Sequence, residues 1–547
     1  MRAYTVSEIA KIVGGELLCG DGSIGITEFS TNSKEGDAAT MFVPVIGERV
    51  DAHDFIGDAY AHGMRATFTC RKDVPVQCGA DMACVYIGRT GEKNPNVAAL
   101  QCFGAYVRRT FAVPVIGVTG SVGKTTTKEM LAAALETGLC TLKTAGNMNS
   151  QVGLPRMMCR LEEKHEIAVI EMGMSLPGEM ERLVRVARPD CAVMTNIGVS
   201  HIGQLGSKEN IRREKLNIIN EFPEGGTLFL NADDPMLREV ADAWRAVRGE
   251  KMSGAMRDDG QDGTVFVHGV AMDVVTAERF PHIRVVTYGT QEGCDYHAGD
   301  IHVVDERIGF RLFGGGADGL LVRLSVAGQH NVLNALAAFA VAGQYGIAAG
   351  QAAEGLSGYR PMAMRGGRIN AGGLILIDDT YNASPDSMRG GIDSLMAVKA
   401  GRHIAVLADM LELGAVSKEC HEQVGYYAAG RGVDHIVAIG QEAKYYAAAA
   451  QERAGRCAMS GENSGGETGC RTSCSLFEDN ARALAFLREY VREGDAILFK
   501  GSRGMKLEEL VAAFSTEETP QGFQDLNSGD ISFNSRGKTG TWEECGP

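Results

Sequence analysis

The stretch Val113-Pro114-Val115-Ile116-Gly117-Val118-Thr119-Gly120-Ser121-Val122-Gly123-Lys124-Thr125-Thr126-Thr127-Lys128-Glu129-Met130-Leu131 begins like a buried strand and ends like a helix. Its first part is apolar and β-branched, and past the glycines Met130, Leu131, Ala134 and Leu135 share one helical face. Strand, glycine-rich turn and helix in that order make an anion site. The glycines let successive backbone N–H groups turn toward phosphate oxygens, and the helix N-terminus adds positive potential. In this frame Gly120, Ser121, Val122, Gly123 and Thr126 wrap phosphates, Lys124 reaches the terminal ones, and the Thr125 hydroxyl can hold Mg2+. The spacing is a variant of G-x-x-x-x-G-K-T, because position 118 is Val and the glycines at 117, 120 and 123 stand three apart. The plainer alternative is a glycine-rich turn carrying a surface lysine.

Similar short apolar runs recur at 167–170, 192–195, 374–377, 404–407, 436–439 and 496–499, each followed by turn residues and a helical stretch. Such near-continuous apolarity suits parallel strands covered on both faces, so the expected fold class is α/β. At 547 residues the chain exceeds what one core organises, and two to four domains are expected. The first 90 or so residues read as a separate small α/β unit, with a short helix over 6–13 and mixed short strands. Helical residues 96–109 mark one boundary, and the glycine- and proline-interrupted stretch 358–367 marks another. Residues 453–475 are rich in Gly, Ser and Cys and are expected to form a surface loop, and 516–547 a disordered tail. Gly537-Lys538-Thr539 in that tail mimics a phosphate-loop fragment but follows no strand.

The balance of 54 Lys+Arg against 69 Asp+Glu gives a net charge of −15, which argues against non-specific nucleic-acid binding and leaves anions to local sites. No apolar run reaches membrane-spanning length, and Glu8 and Lys11 interrupt the start, so neither a span nor a signal peptide is expected. The 14 cysteines are scattered, and the closest pair, Cys470 and Cys474, has no second pair at zinc-site spacing. Reduced thiols in a cytoplasmic protein are the expectation.

Two apolar runs end in acids, Glu171 and the pair Asp378-Asp379. Open α/β sheets gather ligands at strand C-termini, where an acid can complete an oxygen shell around Mg2+; an ordinary helix-capping acid is the alternative. Thr195-Asn196-Ile197-Gly198-Val199-Ser200-His201 likewise sets His201 just past a strand end, as a ligand or as a structural histidine. No Asn-Lys pair occurs in the chain, so the Asn-Lys-x-Asp reader of guanine is missing and ATP is expected over GTP.

Four blocks in order resemble the Mur ligases of peptidoglycan synthesis: 119–129, Gly146-Asn147-Met148-Asn149 with Gly153-Leu154-Pro155, Glu171-Met172-Gly173 with Pro177-Gly178-Glu179, and Thr195-Asn196-Ile197-Gly198 with His201. Further blocks look like the branch of that family that adds D-alanyl-D-alanine to UDP-MurNAc-tripeptide. These are His330-Asn331-Val332-Leu333-Asn334-Ala335, 378–388, Ala408-Asp409-Met410-Leu411-Glu412-Leu413-Gly414 and Lys500-Gly501-Ser502-Arg503-Gly504-Met505-Lys506. The resemblance implies an N-terminal UDP-sugar domain over 1–93, a central ATPase domain with a mostly parallel sheet over 94–361, and a Rossmann-like domain over 362–515. It also implies amide formation through an acyl phosphate at the expense of ATP, with Mg2+.

Carried onto this sequence, the resemblance gives Lys124 the β/γ oxygens, Thr125 and Glu171 one Mg2+, and His201 with a carbamylated Lys215 a second. His330, Asn331 and Asn334 fall on the adenine side, although Asn331 could instead cap a helix over 334–342. Arg365, Asp379 and Asn382 would touch the nucleotide once the third domain closes. Asn147 and Asn149 would line the muramoyl side, and Ser30 and Thr31 the UDP, where Asn32 and Lys34 replace the family's usual Asp and Arg. Arg503 would grip a peptide carboxylate, or else close the domains through a salt bridge; Lys215 could also be a solvated helix residue. The implied enzyme is a cytoplasmic monomer that binds UDP-MurNAc-tripeptide and D-Ala-D-Ala. The alternatives are a related ligase adding one amino acid, or glutamate to folate, and, from another class, a nucleotide-switched binding module.

Overall fold

The computed structural model describes residues 1–73, 81–88, 91–248, 276–304, 307–326, 328–460 and 472–515. The stretch 516–547, with Gly537-Lys538-Thr539, and Cys470 lie outside the described residues. Among the described residues three large sheets follow one another along the chain, flanked by helices, with a two-stranded antiparallel pair of Tyr4–Thr5 and Gly25–Ile26 beside the first, so the α/β reading holds.

The first sheet orders its strands Glu16–Cys19, Ala83–Tyr86, Ala66–Thr69, Thr40–Phe42 and Glu28–Ser30, parallel except for the first pair. The helix Val6–Val13 forms where expected: Thr5 and Glu8 close a reciprocal cap at its start, and Gly14, at φ 68, ends it. The helix Pro95–Arg109 ties this sheet to the next. Phe103 packs on Phe29 with ring centroids 5.1 Å apart, while Arg108 donates from Nε to the Ala187 carbonyl at 2.8 Å and pairs with Asp190.

In the central sheet the strands Thr141–Lys143, Ile167–Glu171, Val115–Thr119, Cys191–Met194, Thr227–Asn231, Arg284–Gly289 and Tyr296–Val304 run parallel. Arg307–Gly314 and Ala317–Leu324 extend it antiparallel. The uninterrupted apolar runs have a physical reason. Val115, Ala168 and Ile170 enter a core with Leu183 and Trp244, whereas Ile116, Ile167 and Val169 enter the opposite one with Leu131 and Phe339. Alternate residues of each strand therefore feed two separate cores.

The third sheet repeats the plan: Leu374–Asp379, Asp495–Lys500, Arg402–Ala408, His435–Ile439 and Ser473–Phe477 run parallel, with Gly367–Ala371 antiparallel at one edge. Two expectations need correction here. Residues 453–475 are not one loop, because the alanine-rich helix Lys444–Ser460 runs well into them and the strand Ser473–Phe477 begins before they end. The helix placed over 334–342 spans His330–Gln344, which puts Asn331 inside its first turn and rules out a cap. The parallel strands of the second and third sheets bring their C-terminal ends, with Glu171 on one side and Asp379 and Lys500 on the other, to a common cleft.

Candidate active site

The glycine-rich loop leaves the strand Val115–Thr119 and enters the helix Lys124–Leu135. Gly120 sits at φ 147, and a Cβ there would come within 1.9 Å of Thr195 Oγ1, so only glycine fits. The neighbouring strand end clamps the loop: Ser121 N–H donates to the Asn196 carbonyl at 3.0 Å and Val122 N–H to Asn196 Oδ1 at 2.9 Å. Thr195 Oγ1 donates to the Val122 carbonyl at 2.6 Å, and Gly198 N–H to Ser121 Oγ at 2.8 Å. The Lys124 ammonium folds back onto the Gly120 and Ser121 carbonyls at 2.8 and 3.3 Å. Burial lowers its pKa; Glu171 works against that shift and Arg365 adds to it.

Glu171 ends its strand almost fully buried, with 2% exposure. Its Oε1 accepts from Asn149 Nδ2 at 2.6 Å and its N–H donates to Thr144 Oγ1, while Oε2 has no partner among the described residues. A buried carboxylate oxygen left open is costly unless a cation meets it. This oxygen and the Thr125 hydroxyl are hard donors of the kind Mg2+ takes. No group of three or more His, Cys, Asp or Glu among the described residues could hold a metal unaided. The donor set thus fits Mg2+ that draws its remaining oxygens from phosphates and water.

Lys215 is buried, which corrects the solvated-helix reading. Its Nζ donates to the Gly120 carbonyl at 3.0 Å, and burial, then the charge of Lys124, push its pKa well below the ordinary lysine range. His201 lies on the cleft wall at φ 63, with Nδ1 2.7 Å from Glu412 Oε2 of the third domain. On the far side the helix His330–Gln344 packs on the loop helix: Thr127 Oγ1 donates to Asn334 Oδ1 at 2.9 Å, and Asn334 Nδ2 to Asn331 Oδ1 at 3.1 Å.

The third domain reaches across. Arg365 stacks on the Tyr381 ring at 3.6 Å and donates from Nη2 to Thr125 Oγ1 at 3.1 Å. Asp379 is not a free acid awaiting Mg2+, because its Oδ2 is 2.5 Å from Nζ of buried Lys500, which also donates to the Asn382 carbonyl. Asp378 accepts from Thr380 within its own turn. Together these residues enclose about 700 Å³ lined by Ser121, Val122, Gly123, Lys124, Thr125, Thr126, Asn149, Glu171, His201, His330, Asn334, Arg365, Asp379, Asn382 and Lys500.

Seven expected site residues lie off this lining: Ser30, Thr31, Gly120, Asn147, Lys215, Asn331 and Arg503. Ser30 is occupied in a local turn with Asn32. Arg503 pairs with Glu508 of its own domain at 3.0 Å, so it closes no domains. Sequence reasoning assigns no role to Asn196, Glu412 or Lys500, although each stands inside one of the motifs quoted above.

A family model for the Mur ligase middle domain matches residues 118–264 and 262–342, and one for the Mur ligase, glutamate ligase domain matches 364–503. A UDP-N-acetylmuramoyl-tripeptide–D-alanyl-D-alanine ligase of Bacillus subtilis (strain 168) is 33% identical over 514 residues, covering 93% of this chain and 98% of that protein. The chain belongs to the Mur ligase family. Among solved Mur ligases, a crystal structure of MurF from Acinetobacter baumannii aligns with TM-score 0.74 and 28% identity over 94% of this chain and all of that one. MurF ligase from Thermotoga maritima in complex with ADP aligns with TM-score 0.67 and 27% identity over 89% and 97% of the two chains. No helix among the described residues is long and apolar enough to cross a membrane.

Proposed function

We propose that this chain is an ATP-dependent ligase that joins D-Ala-D-Ala to UDP-MurNAc-tripeptide, acting as a cytoplasmic monomer. The observation that carries the reading is the single cleft in which the phosphate loop meets Arg365 and the Asp379–Lys500 pair of the third domain. The relatives named above supply the substrates. ATP seats its phosphates on Gly120 to Thr126, with His330, Asn331 and Asn334 on the adenine side and Asp379 and Asn382 facing the nucleotide from the third domain.

A peptide carboxylate is a poor electrophile at neutral pH. One of its oxygens attacks the γ-phosphorus, ADP leaves, and the carboxyl becomes an acyl phosphate. Lys124 and Arg365 are placed to neutralise the transferring phosphoryl, which gains most from positioning and charge. The amine of D-Ala-D-Ala then attacks the carbonyl carbon, loses a proton, and expels inorganic phosphate carrying the carboxylate oxygen. Thr125 and Glu171 would hold one Mg2+, and His201 with carbamylated Lys215 a second; when bound, the ions would supply charge neutralisation to the phosphate oxygens. A carbamate forms only from a neutral amine, and burial of Lys215 favours that form. Asn149 holds Glu171 and with Asn147 faces the muramoyl side; Ser30 and Thr31 serve the UDP, and Arg503 the dipeptide carboxylate.

The test offers D-Ala-D-Ala, D-Ala and L-glutamate separately with ATP, Mg2+ and UDP-MurNAc-tripeptide labelled with 18O in its terminal carboxyl. Product masses should show the dipeptide adduct alone, with one 18O in the released phosphate. A single-amino-acid adduct, or unlabelled phosphate, overturns the reading.

A further inference from the structure

Among the described residues, His201 (φ 63) and Glu412 (φ 65) are two of the few non-glycines with positive φ, and they touch across the boundary between the central and third domains. Left-handed backbone at such residues persists only where the surroundings enforce it, so two at one contact mark a constrained junction. The two domains also meet at backbone level. Gly203 N–H donates to the Glu412 carbonyl at 3.3 Å, and a Cβ on Gly203 would come within 3.0 Å of that oxygen and 3.3 Å of Gly414 N.

Glu412 is carried on a rigid support. The Asp409 carboxylate accepts from the N–H groups of Gln441, Glu442 and Ala443, Ser502 N–H donates to the Asp409 carbonyl, and Leu411 N–H donates to Ser502 Oγ. On the other side His201 Nδ1 is buried and has no aligned hydrogen bond, and its charged neighbour is Glu412 Oε2 at 2.7 Å. A carboxylate on one ring nitrogen fixes which nitrogen carries the proton and leaves the other free to bind.

We infer that Glu412 is a positioning residue for His201: docking of the third domain sets its carboxylate against Nδ1, so that Nε2 faces the cleft and the nucleotide-bound cation. The inference rests on the function proposed above. It makes the cation site at His201 complete only when the third domain is seated.

The test uses the full-length protein saturated with ADP and titrated with Mn2+, followed by electron paramagnetic resonance, beside steady-state ligase kinetics. Glu412→Ala should weaken Mn2+ binding and lower kcat by about tenfold or more, with the ATP KM within about twofold, because losing a partner of a liganding histidine has that size of effect. Glu412→Gln matches the native side chain in size, and its amide oxygen still accepts from the ring, so it should recover part of both losses even if the alanine variant folds poorly. In a His201→Ala background Glu412→Ala should change neither quantity further. Mn2+ affinity of Glu412→Ala within about twofold of the unmutated protein, or losses that multiply in the double variant, overturn the inference. If the unmutated protein makes no dipeptide adduct, the proposed function falls, while the Mn2+ titrations still decide the coupling of Glu412 to His201.

Discussion

Lys500→Met removes a cation that is 2% exposed and has two partners, Asp379 Oδ2 at 2.5 Å and the Asn382 carbonyl at 3.1 Å. Methionine fills a similar volume but satisfies neither, so the Asp379 carboxylate stays behind unpaired. Breaking a fully buried pair in this way costs about 3–5 kcal/mol. Asp379 keeps 22% of its side chain exposed to the cleft, and water there recovers part of the loss, which brings the expectation to about 2–3 kcal/mol. For a domain of about 150 residues each kcal/mol lowers Tm by about 2–4 °C, so the third domain should melt about 5–10 °C earlier. Scanning calorimetry reads this directly. Adding Asp379→Asn removes the stranded charge, and the double variant should regain at least half of the lost Tm. A single variant that melts within about 2 °C of the unmutated protein, or a double variant less stable than the single, refutes the reasoning.

Lys124→Ala should abolish turnover while leaving the far-ultraviolet circular dichroism unchanged; normal turnover would reject the phosphate-loop assignment. Buffer stripped of carbon dioxide should depress activity and added bicarbonate restore it, because burial keeps the Lys215 amine available as the neutral form that carbamylates; activity indifferent to bicarbonate would count against the carbamate. Burial and the Arg402 guanidinium hold His435 at about 4 instead of 6.5, so between those values the unfolded chain binds the extra proton. The stability this group contributes is therefore present above about pH 6.5 and drains as pH falls toward 4. His435→Phe should flatten that part of a urea-midpoint curve against pH, and an unchanged slope would dismiss the account.

Strands buried on both faces were legible because every position is apolar, and the runs at 115–118 and 404–407 needed no tertiary information. Residues 453–475 read as a loop by composition, but Ala447 to Ala450 just before them seed a helix that continues through Gly and Ser. Within the site, Lys124, Thr125 and Glu171 were readable since their chemistry is tied to local spacing. Lys500 was not, because its partner stands 121 residues away and only the sheet register places Asp379 beside it. Arg503 was open in the other direction: a guanidinium at a glycine-flanked turn suits a carboxylate grip or a domain-closing salt bridge, and its pairing with Glu508 on the helix that follows removes the second of these.

On the function proposed above, the charges that neutralise the phosphoryl group come from different domains. Lys124 belongs to the loop of the central sheet, whereas Arg365 arrives from the third domain, stacked on Tyr381, and ends on Thr125 itself. On that proposal a nucleotide can be held by the central domain alone, but its terminal phosphate would meet a full set of positive groups only when the third domain is docked. The same docking would cover the cleft and keep water from the acyl phosphate. Splitting the electrophilic machinery between two rigid sheets ties hydrolysis-prone chemistry to an assembled cleft. The strand ends suit this, since C-termini from two parallel sheets can face each other across a cleft, leaving the joint to side chains such as Arg365 and to the Gly203–Glu412 backbone hydrogen bond.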